Sequence, residues 1–209
     1  MKYGSAKKAG LAALAAAVCV GIIAIAVLQR DAGNSSQAAE GYYASKDEAL
    51  AAAVSPVVDS LNAQPSGDAV AYTVVHRYQN CYFVQAPAHG TDVLAYCENL
   101  LIFAMEEKDG QYLCRQISPI LTVYQEDETG AVVSPGVIYT QMLEDAGLYV
   151  ICGKVAAAEP YVIMPDQATL LDSNLTADGT VDNPDRIMVL IYPLSKNPPA
   201  SPAIRELSE

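Results

Sequence analysis

Few residues in this chain have the types and spacing that chemistry needs. Five cysteines are present, and four of them, Cys81, Cys97, Cys114 and Cys152, lie outside the apolar N-terminal run that contains Cys19. Four thiols allow three pairings, and spacing alone leaves all of them open. If Pro87–Thr91 closes a symmetric hairpin, Cys81 faces Cys97 on the next strand, a position for a strained disulfide in an oxidising compartment. The same reasoning across Asp109-Gly110 sets Cys114 opposite Met105. The competing expectation is buried thiols that pack as small apolar side chains. His76, in an expected strand, and His89, in an expected turn, are the two histidines. A Cys–His nucleophile would need one of them oriented on Cys81 or Cys97, and no spacing does that. No metalloprotease helix motif, C-x-x-C, P-loop or nucleophile elbow occurs. Carboxylates are so numerous that no acid–base pair stands out. No catalytic, cofactor-binding or metal-binding residue is therefore assigned, and no catalytic activity is expected.

Two further patterns bear on binding. Asn174, Thr176, Asp178, Gly179, Val181, Asp182 and Asp185 follow the order of a calcium-binding loop, at positions 1, 3, 5, 6, 8, 9 and 12, with oxygen ligands around a turn glycine. The match is degraded by Asn at the first position, Asp at the last and Pro184 before it, and strand-like runs flank it. A polar loop between strands is the simpler reading, and whether Asn174–Asp185 binds calcium stays open. The chain also has 13 Tyr, 2 Phe and no Trp. Tyrosine suits half-buried sheet positions, with the ring packed and the hydroxyl at the edge.

The elements that would position these residues follow from periodicity. Ser45-Lys46-Asp47-Glu48 has the form of a capping box, with Ser45 as N-cap. Leu50, Ala53, Val54, Val57, Val58 and Leu61 then recur at helical spacing. Pro56 either kinks this helix or opens a second short one. From Ala69 to about Ile117 the pattern becomes that of strands joined by short turns, including a type I′ signal at Asp109-Gly110. In element order, a helix followed by this meander resembles cystatin-like and NTF2-like domains. Apolar runs at Val137–Leu143, Leu148–Ala156, Tyr161–Met164, Ala168–Leu171 and Arg186–Tyr192 extend the β pattern. Glu144-Asp145-Ala146-Gly147 is the turn between the first two. The tail from Ser195, with Pro198, Pro199 and Pro202, is expected not to pack.

The N-terminus is of another kind. Lys2, Lys7 and Lys8 precede 20 apolar residues, Ala9–Leu28. As a helix this run is about 30 Å long, the thickness of a bilayer's hydrocarbon core. The lysines leave the N-terminus in the cytoplasm. A cleaved signal peptide is the alternative, and lipid attachment at Cys19 is disfavoured by the apolar residues after it. From Asp31 on, 8 Lys+Arg face 24 Asp+Glu, so the exported part carries −16 within a whole-chain charge of −12. That surface excludes nucleic acid, whose phosphates need a basic face. It repels anionic polymers and favours a basic partner or merely solubility.

The sequence thus predicts an α+β protein: a transmembrane helix, then an exported domain with one helix on an antiparallel β-meander and further strands behind it. The expected segments are a cytoplasmic tail at 1–8, an anchor at 9–28 that meets the lipid bilayer and a stalk at 29–44. They continue with the helix and meander at 45–125, a second β-rich part at 126–194 and a flexible tail at 195–209. The expected role is an acidic extracytoplasmic interaction domain on a single-pass anchor in a bacterial cell membrane. Its partner would be another envelope protein. The alternatives are a structural or accessory subunit of an envelope complex and an envelope enzyme whose site is assembled from scattered loops.

Overall fold

The computed structural model describes residues 41–61, 72–89, 96–134, 136–155, 161–181, 186–195 and 199–206. Contacts divide the chain into two units, Met1–Gln37 and Ala38–Glu209. The expected anchor at 9–28 and most of the expected stalk lie outside the described residues. Among the described residues, no helix is long and apolar enough to cross a membrane.

The helix α1 (Lys46–Leu61) starts where the capping box places it. The Glu48 N–H donates to Ser45 Oγ at 3.2 Å, which satisfies one of the orphan amides of the first turn. Pro56 lies inside a single helix, and Ser55 donates its hydroxyl back to the Ala51 carbonyl at 2.8 Å. Ala49, Leu50, Val54, Val57 and Val58 form its buried face. Just before it, Tyr43 exchanges backbone hydrogen bonds with Tyr112, so the last residues of the expected stalk are held to the sheet.

The first sheet has six antiparallel strands, β1 (Thr73–Tyr78), β2 (Cys81–His89), β3 (Tyr96–Lys108), β4 (Gln111–Gln116), β5 (Leu121–Glu126) and β6 (Val132–Ser134). At 13 residues, β3 is long enough to pair with β4 along one half and with β5 along the other. Asp109 and Gly110 both have positive φ, 53° and 75°, as the expected type I′ turn requires, and Cys114 faces Met105.

The expected Cys81–Cys97 pairing is corrected. Pro87, Ala88 and His89 continue β2 instead of turning, so Cys81 faces Ala104 and Cys97 faces Ala88. Ala88 and His89 tolerate extended backbone, and the proline alone does not end the strand. All four described cysteines are free and buried.

The second sheet comprises β7 (Ile138–Leu143), β8 (Leu148–Lys154), β10 (Asp172–Ser173) and β11 (Ile187–Pro193), in the order β10-β11-β8-β7. The strand expected at Ala168–Leu171 gives way to β10 just after it. The remaining strands, β9 (Tyr161–Met164) and β12 (Ala203–Glu206), pair with each other. The tail expected to stay unpacked therefore contributes a strand, because its prolines all precede Ala203.

Three apolar clusters give the layers. Phe83, Leu100, Ile102 and Val123 of the first sheet meet Val150, Cys152, Val189 and Ile191 of the second. The helix covers the first sheet's other face through Tyr82, Val84, Leu101 and Phe103. Ile163, Leu170 and Leu175 cover the second sheet's outer face at Tyr149, Ile151, Met188 and Leu190. Among the described residues, the chain is thus one helix packed on antiparallel sheets, and mostly β. With both faces of the central strands covered, Cys81–Ala86 and Ile187–Tyr192 are buried at every position, which is why Ile187–Tyr192 reads as an unbroken apolar run and Cys81–Ala86 is interrupted only by Gln85.

Candidate functional site

Side chains alternate along a strand, so Glu98 shares the inward face of β3 with Leu100 and Ile102. Lys154 likewise shares the inward face of β8 with Val150 and Cys152. Both therefore project into the layer between the sheets. Lys154 Nζ lies 2.6 Å from each carboxylate oxygen of Glu98, with side-chain exposures of 12% and 7%. Tyr96 Oη donates to Glu98 Oε1 at 3.0 Å, and Gln85 Nε2 reaches Oε2 at 3.4 Å. The ammonium also sits 4.4 Å from the Tyr124 ring centroid, where the ring's negative face attracts it. Tyr124 packs edge-on against Tyr96 at 6.2 Å and donates to Glu126 Oε1 at 2.5 Å. That hydrogen bond, then desolvation and the charge of Glu126, push the Tyr124 phenol up to about 12.

The Glu98 carboxylate, the Lys154 ammonium and the Tyr96 and Tyr124 hydroxyls are therefore each already bound to a neighbour. Its chemistry is that of a charged cross-link between sheets. Two clefts of the described surface do not contain the pair. One, of about 370 Å³, lies along Val162, Met164, Leu170, Leu175 and Asp178. The other, of about 310 Å³, lies between β3, β4 and the turn at Asp145, beside Glu106 and Arg115.

The residues singled out from the sequence fall elsewhere. His76 Nε2 is 2.9 Å from Asp172 Oδ2, which ties β1, an edge of the first sheet, to β10, an edge of the second. His76 thus bonds a carboxylate and orients no thiol. His89 lies at the end of β2, opposite Tyr96. Cys81 and Cys152 are fully buried between the sheets, and Cys114 lies under the helix. Burial pushes the thiols of Cys114 and Cys152 up to about 12, which disfavours the thiolate that nucleophilic chemistry needs.

The calcium-like segment is a tight turn whose oxygens bond one another. Asn174 donates to the Ile187 carbonyl at 2.7 Å and accepts from the Val189 N–H at 2.9 Å, so its side chain is fastened to β11. Asp178 accepts from the hydroxyls of Thr176 and Thr180, the latter at 2.8 Å. Those bonds hold its carboxyl down at about 2. Residues 182–185, including Asp182 and Asp185, lie outside the described residues. Among the described residues, no three metal-ligating side chains converge.

Sequence reasoning passed over Glu98 and Lys154. The signal available was a lone charge inside an apolar run, since a charge buried there needs a partner. No family model, no curated protein and no solved structure matches this chain.

Proposed function

We propose that this protein is a single-pass membrane protein whose acidic extracytoplasmic domain acts by binding another protein. One contrast carries the reading. Among the described residues, Glu98 and Lys154, His76 and Asp172, and Asp178 with its threonines are each bound to one another, and the thiols are buried. Large apolar side chains, including Val132, Val133, Ile138 and Met142, are instead presented to solvent. Exposed apolar surface mostly serves contact with another macromolecule. The anchor part of the proposal rests on the 20 apolar residues Ala9–Leu28 behind Lys2, Lys7 and Lys8.

A topology experiment tests this. The full chain, tagged at its C-terminus, should stay in the membrane fraction after alkaline washing. Its tag should be cut by protease added outside intact bacterial cells stripped of their wall. A mature N-terminus beyond residue 24, or a tag protected until the membrane is breached, sinks the proposal.

A further inference from the structure

The two sheets meet at β1 and β10 on one side, and on the other the chain passes from β6 in the first sheet to β7 in the second. The β1–β10 side is closed by His76 and Asp172. On the β6–β7 side the chain crosses from one sheet to the other, where the Val137 N–H donates to the Val123 carbonyl at 3.1 Å. Among the described residues, no strand pairs with the outer edge of β7.

The surface at this edge is apolar and uncharged. Along β7, Leu143 is buried and Tyr139 packs into the inter-sheet core, while Ile138, Thr140 and Met142 form the opposite, exposed row. Met142 is 64% exposed, and on β6 Val132 and Val133 are 52% and 56% exposed. The outer layer that covers Tyr149 and Ile151 on β8 does not cover this row. Edge strands are ordinarily guarded by lysine, proline or a bulge, because their free amides and carbonyls template another strand. Between its ends β7 has no lysine or proline, and it pairs with β8 without a register shift.

Charge selects the occupant. From Gln116 to Gly153 the chain contains no Lys or Arg, and its five acids, Glu126, Asp127, Glu128, Glu144 and Asp145, bracket β6 and β7. A second copy laid antiparallel on β7 would bring acidic ends against acidic ends. An extended segment with cations at both ends and β-prone residues between them would meet the opposite charge at each end.

We propose that the edge of β7 binds an extended, basic segment of another protein, which adds to the second sheet as a further strand. Main-chain hydrogen bonds would hold it, and alternate side chains would contact Ile138, Thr140 and Met142. This inference rests on the binding reading above and specifies where and what the domain binds.

The test uses the full chain in phosphatidylcholine nanodiscs. The probe is a labelled peptide in which Val and Thr alternate between terminal Lys pairs. It should bind, and amides of β7 should gain protection from hydrogen exchange. A peptide with Glu for Lys, and one with a central Pro, should each bind at least about tenfold more weakly. The double variant Ile138→Lys/Met142→Lys should weaken the Lys peptide by at least the same factor while melting as the parent does. Thr140→Lys serves if the double variant fails to fold. Equal binding to parent and edge variants, no binding of the Lys peptide, or protection confined to other strands would overturn the proposal. So would an edge-dependent dimer in sedimentation, which would make a second copy the occupant. The topology result is independent of these outcomes, so the edge can fail while the anchored-binder reading stands, and the converse.

Discussion

At the scale of single residues, the structure separates side chains that hold the fold from those merely buried in it. Tyr139 Oη donates to the Thr122 carbonyl at 2.8 Å. Tyr192 is fully buried, and its hydroxyl has no hydrogen-bond partner. The Asp166 backbone lies near it, outside hydrogen-bonding geometry, and burial is the main reason its phenol is pushed up. Removing an unsatisfied buried hydroxyl relieves a desolvation cost, whereas removing a satisfied one loses a bond. Tyr192→Phe should therefore leave stability unchanged or raise it. Tyr139→Phe should cost about 1 kcal/mol in chemical denaturation. A loss at Tyr192 as large as that at Tyr139 would mean the hydroxyl has a partner. Asp178 adds a pH dependence. Its carboxyl is held at about 2 against an ordinary 3.8, so its contribution is present above about pH 4 and is lost as pH falls through about 2. Asp178→Asn should flatten that part of the melting temperature's acid limb and do little at neutral pH. The thiols of Cys81, Cys97, Cys114 and Cys152, buried and free, should resist alkylation in the native chain, and all four should react after unfolding. Fewer than four of these reacting without reductant would reveal a disulfide.

At the scale of elements, the pairing of Glu98 with Lys154 is the contact whose loss should cost most. Breaking a buried pair strands one charge away from water, whereas replacing both partners removes the problem together with its solution. Lys154→Met alone should cost roughly 3–5 kcal/mol. Adding Glu98→Leu to it should recover part of that loss, since Tyr96 and Gln85 would still lack their acceptor. Additive losses from the two substitutions would show that the pair does not act as a unit. Gly153, next to Lys154, has another role. A Cβ there would lie 2.0 Å from the Val137 carbonyl oxygen, so only glycine lets the β6–β7 crossover approach β8. Gly153→Ala should cost at least about 2 kcal/mol, measured by thermal unfolding. The glycine was visible in the sequence, but its neighbour 16 positions earlier was not, because closeness of that kind exists only once two strands are placed.

At the scale of the whole molecule, the expected segments at 45–125 and 126–194 both supply side chains to one inter-sheet core. Phe83, Leu100 and Ile102 on one sheet and Val150, Val189 and Ile191 on the other lose their cover if the segments part. The domain should therefore unfold in a single transition, with tyrosine absorbance and far-ultraviolet circular dichroism melting together. A fragment ending at residue 125 should not fold alone, since it would expose the whole inward face of the first sheet to water. Two resolved transitions, or a cooperative melt from that fragment, would show that the halves are separate folding units.

The amino-acid sequence by itself determined what depends on near neighbours along the chain. The Ser45 cap, the apolar helical stripe and the Asp109-Gly110 turn are all local, and each stands where its pattern places it. The charge asymmetry and the apolar run Ala9–Leu28 are likewise properties of the chain alone. Register, face-to-face packing and partner choice belong to the tertiary structure. Cys81 lies opposite Ala104, Lys154 finds Glu98, and Ala203–Glu206 pairs with β9, since each contact depends on where distant strands stop and stack. The open edge of β7 is a tertiary property of the same kind. Its residues are ordinary strand formers, and only the order of the strands leaves them at the end of a sheet.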